Sequence, residues 1–398
     1  MNSFDSLVHE ALEKNAELQF YREEIGVMRG QRRQAGFWKN PEMEIEYGKR
    51  RAADSADILQ GEGFTRGMTL RQPFEFPGKG ALRKAVAAKN VELAQAGLEQ
   101  FKASLDGQVR LLLLKHVAAS ESLHEAQIIE ERGQDVIRHM RSRSLTGPQS
   151  LIELSLIESS LMEFQRLSAQ FAREKEELRL QINALLGRPD SFPLVIDPAG
   201  LPPLNLDRET IVLAALNRNH LLQIRTIEIQ KAVSQTAGAR LEAMPDFLVG
   251  PFYSEDVAGD QEINVGISLS MSLPIWDRNQ GKIDAARARE RQAEALLLDA
   301  RRKVEQQVLQ SLRDYSFQSD FLGKMPPAKI EELREAADLA DRQFRLGTIS
   351  AALFIEMQEA CLKVFLIRQE AEIGAWKSLL DLRLLCGGEL PVGKKEAK

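Results

Sequence analysis

The stretch INVGISLSMSLPIWDRNQGK, Ile263–Lys282, decides how the chain is to be read. Ile263, Val265, Ile267, Leu269, Met271 and Leu273 alternate without a fault against Asn264, Gly266, Ser268, Ser270 and Ser272. Side chains on a strand point to opposite faces with a period of two, so this is a strand with one apolar face and one small, polar face. A tilted strand needs about 9–11 residues to cross a bilayer, and apolar-out, polar-in alternation is how a membrane barrel reads. A half-buried strand of a soluble sheet alternates in the same way, so this segment alone leaves both readings open.

The rest of the chain repeats the plan around that strand. ALEKNAELQ at Ala11–Gln19 recurs as ALNRNHLLQ at Ala215–Gln223. Pro41 answers to Pro245, Pro73 to Pro274, Gly80 to Gly281, Gly147 to Gly347 and Gly187 to Gly387, with an offset that drifts only from 204 to 201 to 200. A unit this long is no solenoid repeat of 20–50 residues; it reads as a duplicated half. We divide the chain into a first repeat at 1–187, a Pro-rich linker at 188–206, a second repeat at 207–387 and a polar tail at 388–398.

Each half is expected to run helix, strand, loop, strand, very long helix, turn, helix. The first opens with a helix over Phe4–Gln34, stopped at Asn40–Pro41. EMEIEYGK, Glu42–Lys49, then alternates Met43, Ile45 and Tyr47 against Glu42, Glu44 and Glu46, and a polar loop at Arg50–Gly63 leads to a strand at Phe64–Gln72. Lys79–Ser142 holds no proline and spans roughly 95 Å as a helix at ~1.5 Å per residue. Its counterpart, Asn279–Leu346, is expected to break near Gly323 and Pro326–Pro327. In the returning helix Ile157, Phe164, Phe171 and Leu178 recur every seven residues, with Leu161 between them, which is a coiled-coil seam.

Composition agrees with long helices and argues against several functions. Of 398 residues, 43% are hydrophobic but only 6% aromatic, a bias toward narrow helical seams rather than a globular enzyme core. A net charge of −5, with Lys and Arg dispersed among Glu, offers nucleic acid no basic patch. No apolar run is long enough for a transmembrane helix, and MNSFDSLVHEALEKN has no signal-peptide character, so a destination outside the cytoplasm requires a leader that the given chain lacks. Two cysteines, Cys361 and Cys386, make no disulfide framework or zinc site, and His9, His116, His124, His139 and His220 are too scattered to bind metal. No phosphate loop, nucleophile elbow or zinc-protease motif occurs, so we expect neither an enzyme nor a cofactor.

Phe37, Trp38 and Trp276 fall where strands meet helices, as interfacial anchors or as junction core residues. Two hairpins per chain also have open strand edges, which hydrocarbon does not tolerate, so membrane strands would have to close a barrel with copies of the chain. At this point the sequence resembles the TolC-like family of outer membrane efflux proteins over essentially its whole length. The motifs that carry the likeness are NPEMEIEYG (Asn40–Gly48), RQPFEFPGKG (Arg71–Gly80), LSMSLPIWDRNQGKIDAA (Leu269–Ala286), SLTGPQSLIEL (Ser144–Leu154) and RLGTISAALFIE (Arg345–Glu356). QPFEFPGK and SLPIWDRNQG are similar to the heavy-metal cation efflux, or CzcC-like, branch.

The resemblance implies a mixed but mainly α fold: a homotrimer with a 12-stranded outer membrane β-barrel, continued by a periplasmic coiled-coil tunnel. It implies a passive duct docked on a periplasmic adaptor and a proton-driven inner-membrane pump of the RND type. In that frame Arg50–Gly63 and Ser254–Glu262 are outer loops, and Gly147, Ser150, Gly347 and Ser350 at the periplasmic tips are adaptor contacts. Glu356 matches an acidic position of the family's entrance, Leu353 departs from another, and Glu153 is the first-half equivalent. These glutamates are pore-gate candidates or solvated helix residues, and Arg141, Arg143, Arg342 and Arg345 near them are inter-hairpin latches or solvated. The rival reading is a soluble periplasmic coiled-coil scaffold or adaptor whose strands form a small sheet; it has no need of so long and faultless an alternation beside tryptophans.

Overall fold

The structure is a computed structural model that describes residues 3–142, 147–196 and 207–391. In chain order its elements are α1 (Phe4–Lys14), α2 (Ala16–Gln34), β1 (Glu42–Ala53), β2 (Leu59–Phe74), α3 (Lys79–Ser142), α4 (Pro148–Leu185), α5 (Arg208–Arg218), α6 (His220–Glu242), β3 (Phe247–Ala258), β4 (Asp260–Met271), α7 (Gln280–Lys324), α8 (Pro327–Arg345) and α9 (Ala351–Leu385). Arg143, residues 144–146 of the first tip motif, 197–206 of the linker and 392–398 of the tail lie outside the described residues. Two compact units each draw on both halves of the chain: Met1–Phe20, Leu98–Leu222 and Arg301–Lys398 in one, Tyr21–Gly97 and Gln223–Ala300 in the other.

In the first unit, the helix expected over Phe4–Gln34 is broken at Asn15, and its twin breaks at Asn219. Both asparagines take an extended backbone (ψ 124° and 125°). Asn15 Nδ2 donates to Leu185 O at 3.3 Å while its Oδ1 accepts from Glu17 N. Asn219 repeats this with Leu385 O at 3.0 Å and Leu222 N. The side chain thus caps the next helix and reaches a carbonyl that the end of α4 or α9 leaves unpaired. The seven-residue periodicity of the apolar residues carries no trace of this, because Asn interrupts the backbone without interrupting the buried face: Leu7, Val8, Ala11 and Leu18 are all buried.

Those carbonyls belong to helices that end in the same way. The chain leaves α4 through Gly187 (φ 64°) and α9 through Gly387 (φ 78°), with Arg188 N bonded to Asn183 O and Gly388 N to Arg383 O. This left-handed closure favours glycine. At Gly387 a Cβ would also lie 2.5 Å from Arg218 O, so the glycine is fixed by both conformation and approach.

The helices bury narrow seams. Ile157, Phe164, Phe171 and Leu178 are all buried, as their spacing predicts. Toward the tips, Val136, Ile137 and Met140 of α3, Ile157 of α4, Phe344 of α8 and Phe354 and Ile355 of α9 form one cluster, with the two Phe rings stacked at 5.3 Å. Polar ties cross the same region. Arg132 of α3 pairs with Asp338 of α8 and donates to Gln358 of α9, Arg334 pairs with Glu125, and Gln358, only 1% exposed, donates to Ala337 O. The break expected near Pro326–Pro327 is present: α7 stops at Lys324 and α8 starts with Pro327 at its first position, where a missing N–H costs nothing.

The second unit carries one antiparallel sheet of order β1-β2-β3-β4. Strands are longer and loops shorter than the sequence suggests. Arg50, Arg51 and Ala52 stay in register with Gly63, Glu62 and Gly61, so the expected outer loop Arg50–Gly63 contracts to a turn closed by Asp54, whose carboxylate accepts from Ala56 N and Ile58 N. The expected loop Ser254–Glu262 contracts to Gly259 between paired Ala258 and Asp260. Polar residues on both faces read as loop, yet polarity beyond an apolar band does not end hydrogen-bonded pairing. In β3, Pro251 sits in the gap of the β2 ladder between the Thr69–Phe252 and Gln72–Val249 pairs, where its missing donor is not needed.

Gly387→Ala is expected to lower stability by about 1–3 kcal/mol, a positive-φ strain, whereas Gly281→Ala, with nothing within 4 Å of its Cβ, serves as the unperturbed control; paired thermal unfolding curves check this. A second expectation concerns His116 of α3, which is buried and whose pKa is pushed down to about 4 by burial and by Lys175 and Arg179, with Glu176 opposing. The unfolded chain therefore takes up this proton first, so stability present above about pH 6.5 is lost as pH falls toward 4. His116→Leu should flatten that slope in a melting series from pH 7.5 to 4, relative to wild type.

Candidate functional site

The functional geometry of the sheet follows from its register. Residues directly opposite on paired strands share a face, so Met43, Ile45 and Tyr47 of β1 align with Leu70, Met68 and Arg66 of β2. Phe247, Val249, Pro251 and Tyr253 of β3 then align with Met271, Leu269, Ile267 and Val265 of β4. This face is apolar and uncovered: Ile267 is 78% exposed, and Ile45, Tyr47, Val265 and Leu269 are also exposed. An apolar surface of this extent marks an interaction or membrane site.

The opposite face is polar and acidic. Glu44 pairs with Arg71 at 2.6 Å. Arg50 lies opposite Gly63, and without a side chain in the way it reaches past β2 to Asp256 of β3 at 2.5 Å and Glu262 of β4 at 3.7 Å. Glu42 and Glu46 form no ion pair among the described residues. The face carries Glu42, Glu44, Glu46, Asp256, Asp260 and Glu262 against Arg50 and Arg71, an excess of four negative charges.

Aromatic residues bound the apolar face at both ends. At the helix end Phe37, Trp38 and Trp276 are exposed, Trp276 at 89%, and Trp38 meets Phe74 edge to face at 5.7 Å. Beside them the bases of the strands are locked by charge. Lys79 donates to Asp246 and to Met244 O, both at 2.7 Å. Arg83 Nη1 donates to both carboxylate oxygens of Glu75 at 2.8 and 2.9 Å, and Lys39 stands 3.5 Å from Asp246. Near the turns is a second group that the sequence reading did not single out. Tyr47 stacks with Phe64, Arg66 covers Phe64 at 5.6 Å, and the buried Glu255 carboxylate accepts from Arg66, Tyr253 and Gln261. The signal was present in the two-residue alternation, but Glu255 and Arg66 fell in segments read as loop or as strand without partners.

The remaining candidates lie in the helical unit. Gly147 (φ 147°) precedes α4 and Gly347 (φ 76°) follows α8, with Thr348 N bonded to Gln343 O. Ser350 caps α9 by accepting from Leu353 N, while Ser150 lies in the first turn of α4. Glu153 accepts from Gln149 at 3.4 Å, and Glu356 is exposed without a partner among the described residues. The two glutamates adjoin Leu154 and Ile355 of one packed cluster but do not bond to each other. Of the basic residues near the tips, Arg141 pairs with Glu158 of α4 at 2.6 Å, and Arg345 pairs with Asp341 and lies 4.0 Å from Asp135 of α3; these are ties within one chain. Among the described residues no helix is long and apolar enough to cross a membrane, and no group of three or more His, Cys, Asp or Glu could hold a metal ion.

Comparison with known proteins places this geometry. No family model matches the chain. The nickel-cobalt-cadmium resistance protein NccC of Alcaligenes xylosoxydans xylosoxydans is 23% identical over 278 residues, covering 66% of this chain and 59% of its own length, so the chain matches less than two thirds of that relative. Among solved structures, the CmeC outer membrane channel of Campylobacter jejuni superposes with a TM-score of 0.77 at 13% identity over 99% of this chain and 87% of its own. The open state of the MtrE outer membrane channel of Neisseria gonorrhoeae gives 0.73 at 16% identity over 97% and 89%. The chain has the fold of the TolC-like outer membrane efflux channels.

Proposed function

We propose that this protein is the outer membrane duct of a tripartite efflux system, closed as a homotrimer whose twelve strands span the bilayer and whose helices continue into the periplasm. The observation that carries the reading is the four-stranded sheet: among the described residues its apolar face is uncovered, and β1 and β4 each leave one edge without a partner. Lipid satisfies an apolar face but not an open edge, and three copies joined edge to edge satisfy both. A soluble scaffold would leave Ile267 and its neighbours in water.

As a duct, the protein carries no bond chemistry. Energy comes from a proton-driven pump of the RND type in the inner membrane, reached through a periplasmic adaptor. Gly147, Ser150, Gly347 and Ser350 are our candidates for adaptor contact, since the first pair opens α4 and the second lies between α8 and α9. Phe37, Trp38 and Trp276 are the periplasmic-side interface anchors. Glu356 and Glu153 are the candidate gate residues, because three copies of a free carboxylate in a narrow aqueous throat favour cations through their summed field. Heavy-metal cations are the cargo we favour, on the name of the NccC relative and on the acidic polar face of the sheet.

Ile267→Asp should impair assembly of the membrane-inserted trimer, at a cost of up to about 2–4 kcal/mol, less for an acid than for a basic residue; folding titrations into lipid vesicles measure it, and normal insertion would count against the membrane reading. For the gate, Glu356→Gln is expected to reduce the cation preference of single channels, read from reversal potentials in a salt gradient. Unchanged selectivity would remove Glu356 from the throat.

A further inference from the structure

The KRR run at Lys49–Arg51 divides its charges between the two faces of β1. Arg50 turns to the polar face and is paired twice, with Asp256 and Glu262. Lys49 and Arg51 share the opposite face with Met43, Ile45 and Tyr47, the apolar one, and both are exposed. Neither forms an ion pair among the described residues, although Glu62 lies across the ladder from Arg51. The next cation on that face, Arg66, is satisfied on one side by Glu255, and its side chain remains 55% exposed. Two unpaired cations therefore stand at the turn end of the surface that faces lipid, just beyond the Tyr47–Phe64 stack.

A solvated loop would place such charges anywhere. Here the pleat fixes them on the apolar face at its turn end, where in the proposed barrel acyl chains end and headgroups begin. Tyrosine and phenylalanine settle at that boundary, and long basic side chains reach from apolar surface toward anions while their stems stay covered. The acids of the sheet lie largely on the other face, so the outward rim is basic against an acidic interior. Arginine and lysine at close spacing match phosphate oxygens as charge-assisted donors.

We propose that Lys49 and Arg51, with Arg66 as a shared donor, form a docking site for the phosphates of the phosphorylated glycolipid in the outer leaflet. This rests on the membrane reading above and adds to it a specific lipid partner. The site does not require Arg66 to leave Glu255, because Lys49 and Arg51 supply the free charge.

The test uses the full-length trimer in detergent, exchanged into mixed micelles with bisphosphorylated lipid A, the same lipid without phosphates, or phosphatidylglycerol, with bound lipid counted by native mass spectrometry. Wild type should retain the bisphosphorylated glycolipid, and Lys49→Gln with Arg51→Gln should retain roughly 10- to 30-fold less, the effect of two basic residues at an anionic lipid surface. The charge-keeping pair Lys49→Arg with Arg51→Lys should bind as wild type does. Since both positions are exposed and unpaired, the variants should keep their helical circular dichroism; a variant that loses it is replaced by the single Lys49→Gln, expected to bind less than wild type. Equal retention by wild type and the glutamine variants, or indifference to the phosphates, would overturn the site. Preference for phosphatidylglycerol would overturn its assignment to the outer leaflet. A trimer that needs detergent yet shows no phosphate dependence sinks this inference alone, whereas a chain soluble without detergent sinks the membrane reading itself.

Discussion

A strand edge in hydrocarbon has nowhere to put its N–H and C=O groups, and the rest of this protein can be arranged around that constraint. The sheet of one chain has two such edges, β1 and β4, together with an apolar face that nothing in its own unit covers. Either property alone is manageable in water: an edge can be blunted with charge, and a face can be buried under a helix. Here β1 does carry charge, from Glu42 to Arg51, but the apolar face has no cover among the described residues. The face is continuous from Met43 to Leu269, and the polar residues sit on the other side, where a water-filled lumen would take them.

The helical unit solves a different problem, how to make long helices hold together without a thick core. Its seams are one residue wide, at Ile157, Phe164, Phe171 and Leu178, and little aromatic volume is available to widen them. Order comes instead from polar contacts placed where helices begin, end or cross. Asn15 and Asn219 break a helix in order to tie it to the end of another, and Gly187 and Gly387 let those ends approach. Between them Arg132, Gln358, Arg334 and Glu125 join α3 to α8 and α9. The ion pairs among them are only partly buried, so their main effect is on which helix faces which, more than on net stability.

Much of this was legible in the residues. Strict alternation at Ile263–Leu273 identified β4, proline pairs located the α7–α8 break, and the heptad in α4 identified its buried seam. What was not legible has a common cause. The asparagine breaks preserve the apolar period, so periodicity passes over them. β3 was not delineated because Leu248 and Phe252 on its polar face blur the alternation. The outer ends of the strands were read as loops because both of their faces are polar, and pairing, not hydrophobicity, holds them in register. Site residues were legible only as types at positions; Tyr47, Phe64, Arg66 and Glu255 come together through strands far apart in sequence, which no local pattern encodes.

Under the proposed function, parity along the strands also accounts for how a duct would be selective without a pocket. On β1, charges on even positions lie on the polar face and charges on odd positions on the apolar face, so a run such as Lys49–Arg51 serves two environments at once. On the polar face, Arg50 is neutralised by Asp256, and Arg71 by Glu44, which leaves Glu42, Glu46, Asp260 and Glu262 to set its sign. No single one of these needs to bind an ion. Repeated by the proposed threefold symmetry around a water-filled lumen, a modest excess would become a field that ions of one sign cross more easily, with contact weak enough to let them leave.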